Sequence, residues 1–140
     1  MQSTITRVIV AVALAATAAC AKTTTSPTSP SSPATTTDTF TGTLGQSGSL
    51  THIFAVGAAG TVDVSLTTVA PLATMSLGVA VATSDGTNCL ETISQNPDAR
   101  TGGIALAGTA AVGNYCVRVY DSGNIPAATD VSYTLTVAHP

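Results

Sequence analysis

Charged side chains are scarce in this 140-residue chain, where Lys and Arg number 4, Asp and Glu number 7, and only 8 % of residues are charged. After Arg7 the cations are Lys22, Arg100 and Arg118. Proteins that bind nucleic acid or anionic lipid headgroups neutralise phosphates with clustered Lys and Arg. We therefore exclude nucleic acid and anionic headgroups as principal partners.

A catalytic motif is also lacking. The chain has two histidines, His52 and His139, and His52 shares the apolar phase of Leu50 and Phe54, as a core or rim histidine does. Serine and aspartate are plentiful, but no nucleophile motif singles one out. The sequence therefore predicts no catalytic residue and no cofactor, and we expect that the protein is not an enzyme. A weak hydrolase that uses His52 is the third choice of function.

No apolar run reaches the about 20 residues that a membrane-spanning helix needs. The longest is Val8 to Ala19, which follows a polar start with one basic residue and ends before Lys22. This layout is typical of a signal peptide, which we assign to residues 1–19.

Cys20 stands where the apolar run stops, and the segment Thr17-Ala18-Ala19-Cys20 resembles the lipobox of bacterial lipoproteins. The resemblance implies that Cys20 is acylated and becomes the mature N-terminus, although Thr17 replaces the usual Leu, Val or Ile. Ala21 lacks the Asp that retains some lipoproteins in the inner membrane, which points to the outer membrane or cell surface. Ordinary cleavage after Ala16-Thr17-Ala18, giving a soluble secreted protein, is the alternative.

Residues 20–38 are mostly Thr, Ser, Pro and Ala. Such a tract cannot bury enough apolar surface to offset the entropy of ordering, so it predicts a disordered tether. Its prolines, Pro27, Pro30 and Pro33, favour an extended spacer. The rest, residues 39–140, has the size of one domain.

Three cysteines leave one odd thiol in a secreted protein. Acylation of Cys20 accounts for it and leaves Cys89 and Cys116 to form a disulfide in an oxidising compartment. Zinc binding is the rival use, but two cysteines without a nearby histidine make a poor zinc site.

Alternation of apolar and polar residues with period two runs through the domain and predicts half-buried antiparallel strands. We expect Leu50–Val56 and Val62–Leu66 to form a hairpin around the glycine-bounded turn at 57–60. Further strands are predicted at 75–82, 104–106, 115–120 and 131–137, and loops at 71–75 and 91–100. Short strands separated by Gly, Asn and Asp turns indicate an antiparallel β-sandwich.

Aspartates at these turns ordinarily hydrogen-bond their own backbone. Asp85 and Asp121 could instead supply oxygen ligands to calcium, but neither segment has the acidic density of a dedicated calcium loop. They are weak metal candidates, and we predict no metal.

Aromatic faces that could bind sugars are few, since Trp is absent and most aromatic residues lie on core phases. Tyr120 faces outward and shares the polar phase with Arg118. These two residues are the candidate ligand contact for the alternative function, a carbohydrate-binding module. A purely structural stacking of the cation on the ring is also compatible with the pattern.

Several segments together resemble the bacterial pre-peptidase C-terminal domain family: His52-Ile53-Phe54-Ala55-Val56, Gly60 to Leu66, Asn114 to Asp121 and Tyr133 to Val137. The resemblance spans residues of about 40–138. It implies a jelly-roll-like β-sandwich without catalytic residues, a fold found attached to secreted peptidases and other extracellular enzymes. We expect no enzyme domain within residues 1–140, which is a departure from that pattern.

The sequence as a whole predicts an all-β, antiparallel jelly-roll-like β-sandwich behind a signal peptide and disordered linker. We expect a non-enzymatic, lipid-anchored interaction or structural module of the bacterial envelope. Its expected partners are the membrane, through the lipid anchor, and an envelope protein or glycan.

Overall fold

The computed structural model describes residues 32–140, in which all regular structure is β-strand. The strands are β1 (Thr36–Leu44), β2 (Ser49–Val56), β3 (Gly60–Ala70), β4 (Leu77–Ser84), β5 (Cys89–Ala99), β6 (Ile104–Ala110), β7 (Gly113–Tyr120) and β8 (Val131–His139). Within this range no helix is long and apolar enough to cross a bilayer. The predicted signal peptide, Cys20 and tether residues 20–31 lie outside the described residues.

The strands form two antiparallel sheets of four. Sheet A has the order β1-β8-β3-β6 and sheet B the order β2-β7-β4-β5. The pairing is nested along the chain. The innermost pair is the β4–β5 hairpin, and the strands that flank it in sequence pair in turn: β3 with β6, β2 with β7 and β1 with β8. An eight-stranded sandwich with this nested pairing is a jelly roll, which confirms the predicted fold class.

The core lies between the inner faces of the two sheets, and β8 shows why the sequence builds it. Val131, Tyr133, Leu135 and Val137 are each at most 2 % exposed, while the residues between them face outward, because successive side chains of a strand point to opposite faces. Burying each such side chain stabilises the fold by about 1.5–3 kcal/mol. The inner face of sheet B supplies the opposing layer, which consists of Phe54, Val56, Leu77, Val79, Tyr115, Val117 and Val119.

The predicted hairpin of Leu50–Val56 with Val62–Leu66 is wrong. Strand β2 pairs with β7 in sheet B, whereas β3 pairs with β6 and β8 in sheet A. Residues 57–59 cross from one sheet to the other, and the Gly57 amide donates to the carbonyl of Pro140 at 3.0 Å. Alternation shows that both strands face the core, but it cannot distinguish a neighbour in the same sheet from a strand across the core.

Two further expectations need correction. Residues 91–99, predicted as a loop, belong to β5, an edge strand whose side chains are mostly exposed and which therefore lacks an apolar phase. Strand β1 was not predicted. It begins at Thr36, so the last three residues of the predicted tether, 36–38, are part of a strand that pairs with β8. Its threonine-rich sequence resembles the tract before it, and only Phe40 and Leu44 mark an inner face.

The two ends of the sandwich differ in their connections. At the N-terminal end, where β1 begins and β8 ends, the connections are residues 57–59, 85–88 and 111–112. At the opposite end, which we call the loop end, they are residues 45–48, 71–76, 100–103 and 121–130. The long segments therefore lie at the end farthest from the point where the chain enters β1.

Candidate functional site

Asp121 organises the loop end. Its Oδ1 accepts hydrogen bonds from the amides of Gly123, Asn124 and Ile125 at 2.8–3.1 Å, and its Oδ2 accepts one from the Ser47 amide at 2.8 Å. Partial burial raises the pKa of Asp121, but the four donated hydrogen bonds outweigh it and the net pKa is lowered. One carboxylate thus fixes the β7–β8 loop and joins it to the β1–β2 turn.

A shallow cleft of about 280 Å³ lies at the same end and is lined by Leu72, Thr74, Met75, Ser76, Arg100 and Asn124; we call it the loop-end cleft. Asn124 Nδ2 donates to Ser76 Oγ at 3.0 Å. Arg100 donates from Nη1 to the Thr74 carbonyl at 3.1 Å and from Nη2 to Asp98 Oδ1 at 3.2 Å. The three loops that meet here are therefore held by direct polar contacts.

The sequence did not predict this cleft. Its residues come from three separate connections, 71–76, 100–103 and 121–130, and no local pattern links them. The one available signal was the Asp121-Ser122-Gly123-Asn124 segment, which predicts an ordered turn but does not show which loops it contacts.

Arg118 and Tyr120 lie together on the outer face of sheet B, as their shared phase predicts. The guanidinium carbon of Arg118 is 5.3 Å from the centroid of the Tyr120 ring. The same ring packs against Gly78 so closely that a Cβ there would collide with it. Tyr120 is consequently half-buried, and its ring already has two protein partners.

Cys89 and Cys116 form the predicted disulfide, with their Cα atoms 5.8 Å apart. The bridge joins the first residue of β5 to β7, the two strands that flank β4. Cys116 is fully buried although it lies on the outer face. The bridge closes 27 residues of chain, which in the chain-entropy description stabilises the fold by about 3.5 kcal/mol.

The two weak calcium candidates are at opposite ends of the sandwich and their carboxylates are occupied. Asp85 Oδ1 accepts hydrogen bonds from the amides of Asn88 at 2.6 Å and Thr87 at 2.8 Å. These bonds, that from Asn88 most strongly, lower the pKa of Asp85. Asp121 is engaged by four amides. Among residues 32–140 no three His, Cys, Asp or Glu side chains are grouped as a metal site would need.

His52 sits between the sheets rather than in a cleft. Its Nε2 shares a 2.7 Å hydrogen bond with the Tyr133 hydroxyl, and its ring stacks on Phe40 at a centroid distance of 4.8 Å. Burial lowers the pKa of His52 and raises that of Tyr133 to about 12. The hydrogen-bond partner of His52 is therefore a phenol that stays protonated, which provides neither a nucleophile nor a carboxylate to orient a base.

No protein-family model matches the sequence, and neither does any curated protein. Of the surfaces described, the loop-end cleft combines an open concave shape with an exposed cation and ordered loops. Arg100 can donate hydrogen bonds to oxygen atoms of a partner in this cleft. The residues that line the cleft include no His, Asp or Glu that could act as a general acid or base.

Proposed function

We propose that this protein is a lipid-anchored, non-enzymatic β-sandwich of the bacterial envelope that binds a partner through the loop-end cleft. The observation that carries this proposal is the separation of the two ends. The chain enters at the N-terminal end, and the longest connections with the ordered cleft lie at the other. Loops held by a rigid scaffold are where binding residues concentrate.

The anchor rests on the sequence before residue 32. Acylation of Cys20 would place the domain on the outer membrane or cell surface, and the residues up to β1 would act as its spacer. The similarity to the pre-peptidase C-terminal domain family agrees with an extracytoplasmic, non-catalytic module. Cleavage beside Ala18 without acylation, which gives a soluble secreted protein, is the competing proposal.

Arg100 gives the cleft its chemical preference. Its side chain is 60 % exposed, and the two hydrogen bonds to Thr74 and Asp98 leave part of its five N–H donors free. Residues 32–140 contain Arg100 and Arg118 against seven acidic residues, so a cation at the loop end is a local exception. A partner with exposed carbonyl or carboxylate oxygens fits this site.

Mass spectrometry of the membrane fraction tests the anchor. We expect a mature N-terminus at Cys20 that carries acyl chains, and a Cys20→Ser variant that leaves the membrane fraction. An unacylated mature N-terminus at any other residue would refute the anchor.

Site-specific photo-crosslinking in intact cells tests the partner. A photoreactive amino acid at Thr74, in the loop-end cleft, should capture one distinct envelope component. The matched control is Thr87, which is exposed in the β4–β5 turn at the N-terminal end. Equal capture at both positions, or capture at Thr87 alone, would place the binding surface elsewhere.

Glycan binding at Arg118 and Tyr120 is the alternative proposal. Their place on the outer face of sheet B, where Arg118 is exposed and Tyr120 half-buried, supports it. A sugar that stacks on Tyr120 must share the ring with Arg118 and Gly78. This proposal predicts retention on insoluble polysaccharide or peptidoglycan that Tyr120→Ala abolishes. A panel of glycans without any retention would eliminate it. The third choice, a weak hydrolase, predicts turnover that His52→Ala removes.

A further inference from the structure

Strand β6 is an edge of sheet A. Within residues 32–140, Ile104–Ala110 pair with β3 alone, and their sequence IALAGTA contains neither Pro nor a charged residue. Within residues 32–140 one β6 carbonyl, that of Ala105, accepts a side-chain hydrogen bond, from Asn96 Nδ2 at 3.0 Å. Edge strands normally carry charges, prolines or bulges that prevent pairing with another chain. Residues 106–110 therefore present main-chain donors and acceptors that can pair.

The neighbouring edge of sheet B has the protection that β6 lacks. Strand β5 contains Pro97 and the acidic residues Glu91 and Asp98. Its register against β4 also shifts at three places. Proline and bulges each interrupt the regular row of hydrogen-bonding groups that another strand would need. The register of β6 against β3 shifts once, between Ile104 and Leu106, and residues 106–110 contain neither a bulge nor a proline. Residues 106–110 thus differ from the other edge on the same side of the sandwich.

An apolar slot opens beside β6 and leads between the two sheets. It measures about 120 Å³, and none of its lining residues is charged. Its lining includes Phe54, Val64, Val81, Ile93, Leu106 and Tyr115. Ile93 is 58 % exposed, and the Tyr115 hydroxyl is already engaged by donating to the Ala111 carbonyl at 3.0 Å. A dry cavity of about 150 Å³ binds benzene in another protein, so this slot has the size of one large apolar side chain.

We propose that β6 binds an extended peptide segment of a partner protein as an additional strand, with one Leu- or Phe-sized side chain of that segment in the slot. Main-chain hydrogen bonds to residues 106–110 supply affinity, and the slot supplies selectivity, as in other cases of strand addition. The slot is too small for a whole acyl chain, and a hydrocarbon would leave the β6 main chain unpaired. The proposal does not depend on the state of Cys20 or on the loop-end cleft.

Charge selects among peptide partners. Asp63 lies directly across the β3–β6 pair from Ala107, and the described residues carry seven acids against two arginines. Like charges oppose association and opposite charges favour it. A segment that carries Lys or Arg beside its apolar residue is therefore a better occupant than a second copy of this acidic chain.

Selection from a phage-displayed library of random peptides on the purified protein tests the proposal without assuming a sequence. We expect enriched peptides that alternate apolar and polar residues, contain one Leu or Phe that cannot be replaced, and carry Lys or Arg. Hydrogen exchange should slow at residues 106–110 when such a peptide binds.

Gly108→Leu is the decisive variant. Gly108 is opposite Val62, whose side chain faces the core, and a Cβ at Gly108 meets no atom within 4 Å. The new side chain should therefore fill the slot without unfolding the domain, and peptide affinity should fall at least about tenfold, equivalent to about 1.4 kcal/mol. The matched control is Gly103→Leu, where a Cβ also meets nothing within 4 Å and which lies outside the slot, so affinity should be unchanged.

Three results would overturn the proposal. One is a selection that enriches no peptide, and another is an enriched peptide that binds Gly108→Leu as tightly as it binds the unmodified protein. The third is displacement of the peptide by dodecanoic acid, which would assign the slot to an acyl chain. Circular dichroism of both variants verifies that each retains the β fold, so that lost binding reports on the slot.

Discussion

The inner faces of the two sheets are both lined by buried apolar side chains, but their outer faces are built differently. On sheet A, hydroxyl residues oppose each other across the strands, with Thr39 and Thr41 exposed and their partners Thr136 and Thr134 half-buried. On sheet B, Gly78, Ala80 and Ala82 of β4 alternate with core residues yet are buried. Their cross-strand neighbours on β7 are respectively Tyr120, Arg118 and Cys116.

This difference shows that sheet B is packed on both sides. Small residues in the central strand leave room above the sheet, and the Tyr120 ring of β7 lies against Gly78 in that room. Buried apolar surface stabilises whichever face it lies on. Sheet A has a single packed layer and a solvated outer face, so substitutions on the two outer faces should have different costs.

The largest change in the free energy of unfolding is expected when the Cys89–Cys116 disulfide of sheet B is removed. The double substitution Cys89→Ala and Cys116→Ala should lower the free energy of unfolding by about 3–4 kcal/mol, because the unfolded chain regains the entropy of an open loop. Urea denaturation measures it. The matched control on sheet A is Thr39→Ala with Thr136→Ala. A loss for the cysteine variant no larger than for this control would remove the distinction between the faces.

A second, smaller effect is expected from Gly78→Val. The added side chain collides with the Tyr120 ring, and overpacking of this kind destabilises by about 1–3 kcal/mol. In a double-mutant cycle, Tyr120→Ala should relieve the collision, so the two costs should not add. Strict additivity would mean that Tyr120 does not cover β4 in solution.

A pH effect is expected where the sheets meet, at the hydrogen bond between His52 of β2 and Tyr133 of β8. Burial lowers the pKa of His52 below its ordinary value of 6.5. The unfolded chain therefore takes up the proton first, and stability should decrease as pH falls from 6.5 towards the folded pKa. Thermal unfolding at pH 7.5 and 5.5 measures it, with His52→Gln as the control. The idea fails if the variant shows the same decrease as the unmodified protein.

The smallest effect is expected on the outer face of sheet A. Thr41 is exposed and Thr134 half-buried, both on the outer face. Thr41→Ala and Thr134→Ala open no cavity in the core, so each should change the free energy of unfolding by less than about 0.5 kcal/mol. A cost above about 1 kcal/mol for either, measured by urea denaturation, would show that this face also has packed neighbours.

The strands with an apolar phase could be predicted from the sequence, and those without one could not. Val131, Leu135 and Val137 alternate with polar residues, so β8 was identified close to its observed bounds. Strand β5 has few buried side chains and was predicted as a loop. Pairing was the harder question, because β2 and β3 have equivalent patterns and only the three-dimensional nesting assigns them to different sheets.

The candidate sites divide in the same way. The Cys89–Cys116 bridge followed from counting cysteines, and the stacking of Arg118 on Tyr120 followed from their shared strand phase. The loop-end cleft and the slot beside β6 require residues from connections or strands distant in sequence. Such juxtapositions depend on topology, which local alternation does not encode.

The pairing of β1 with β8 also sets an order of events in time. Within the described structure β8 is the sole partner of β1, and their first contact joins Thr36 to His139. The strand nearest the N-terminus therefore cannot be completed until the last strand is available, which is the slow, non-local kind of pairing. During synthesis, closure of sheet A must wait until residues 36–139 have all emerged, so the first strand of the described structure is among the last to be secured.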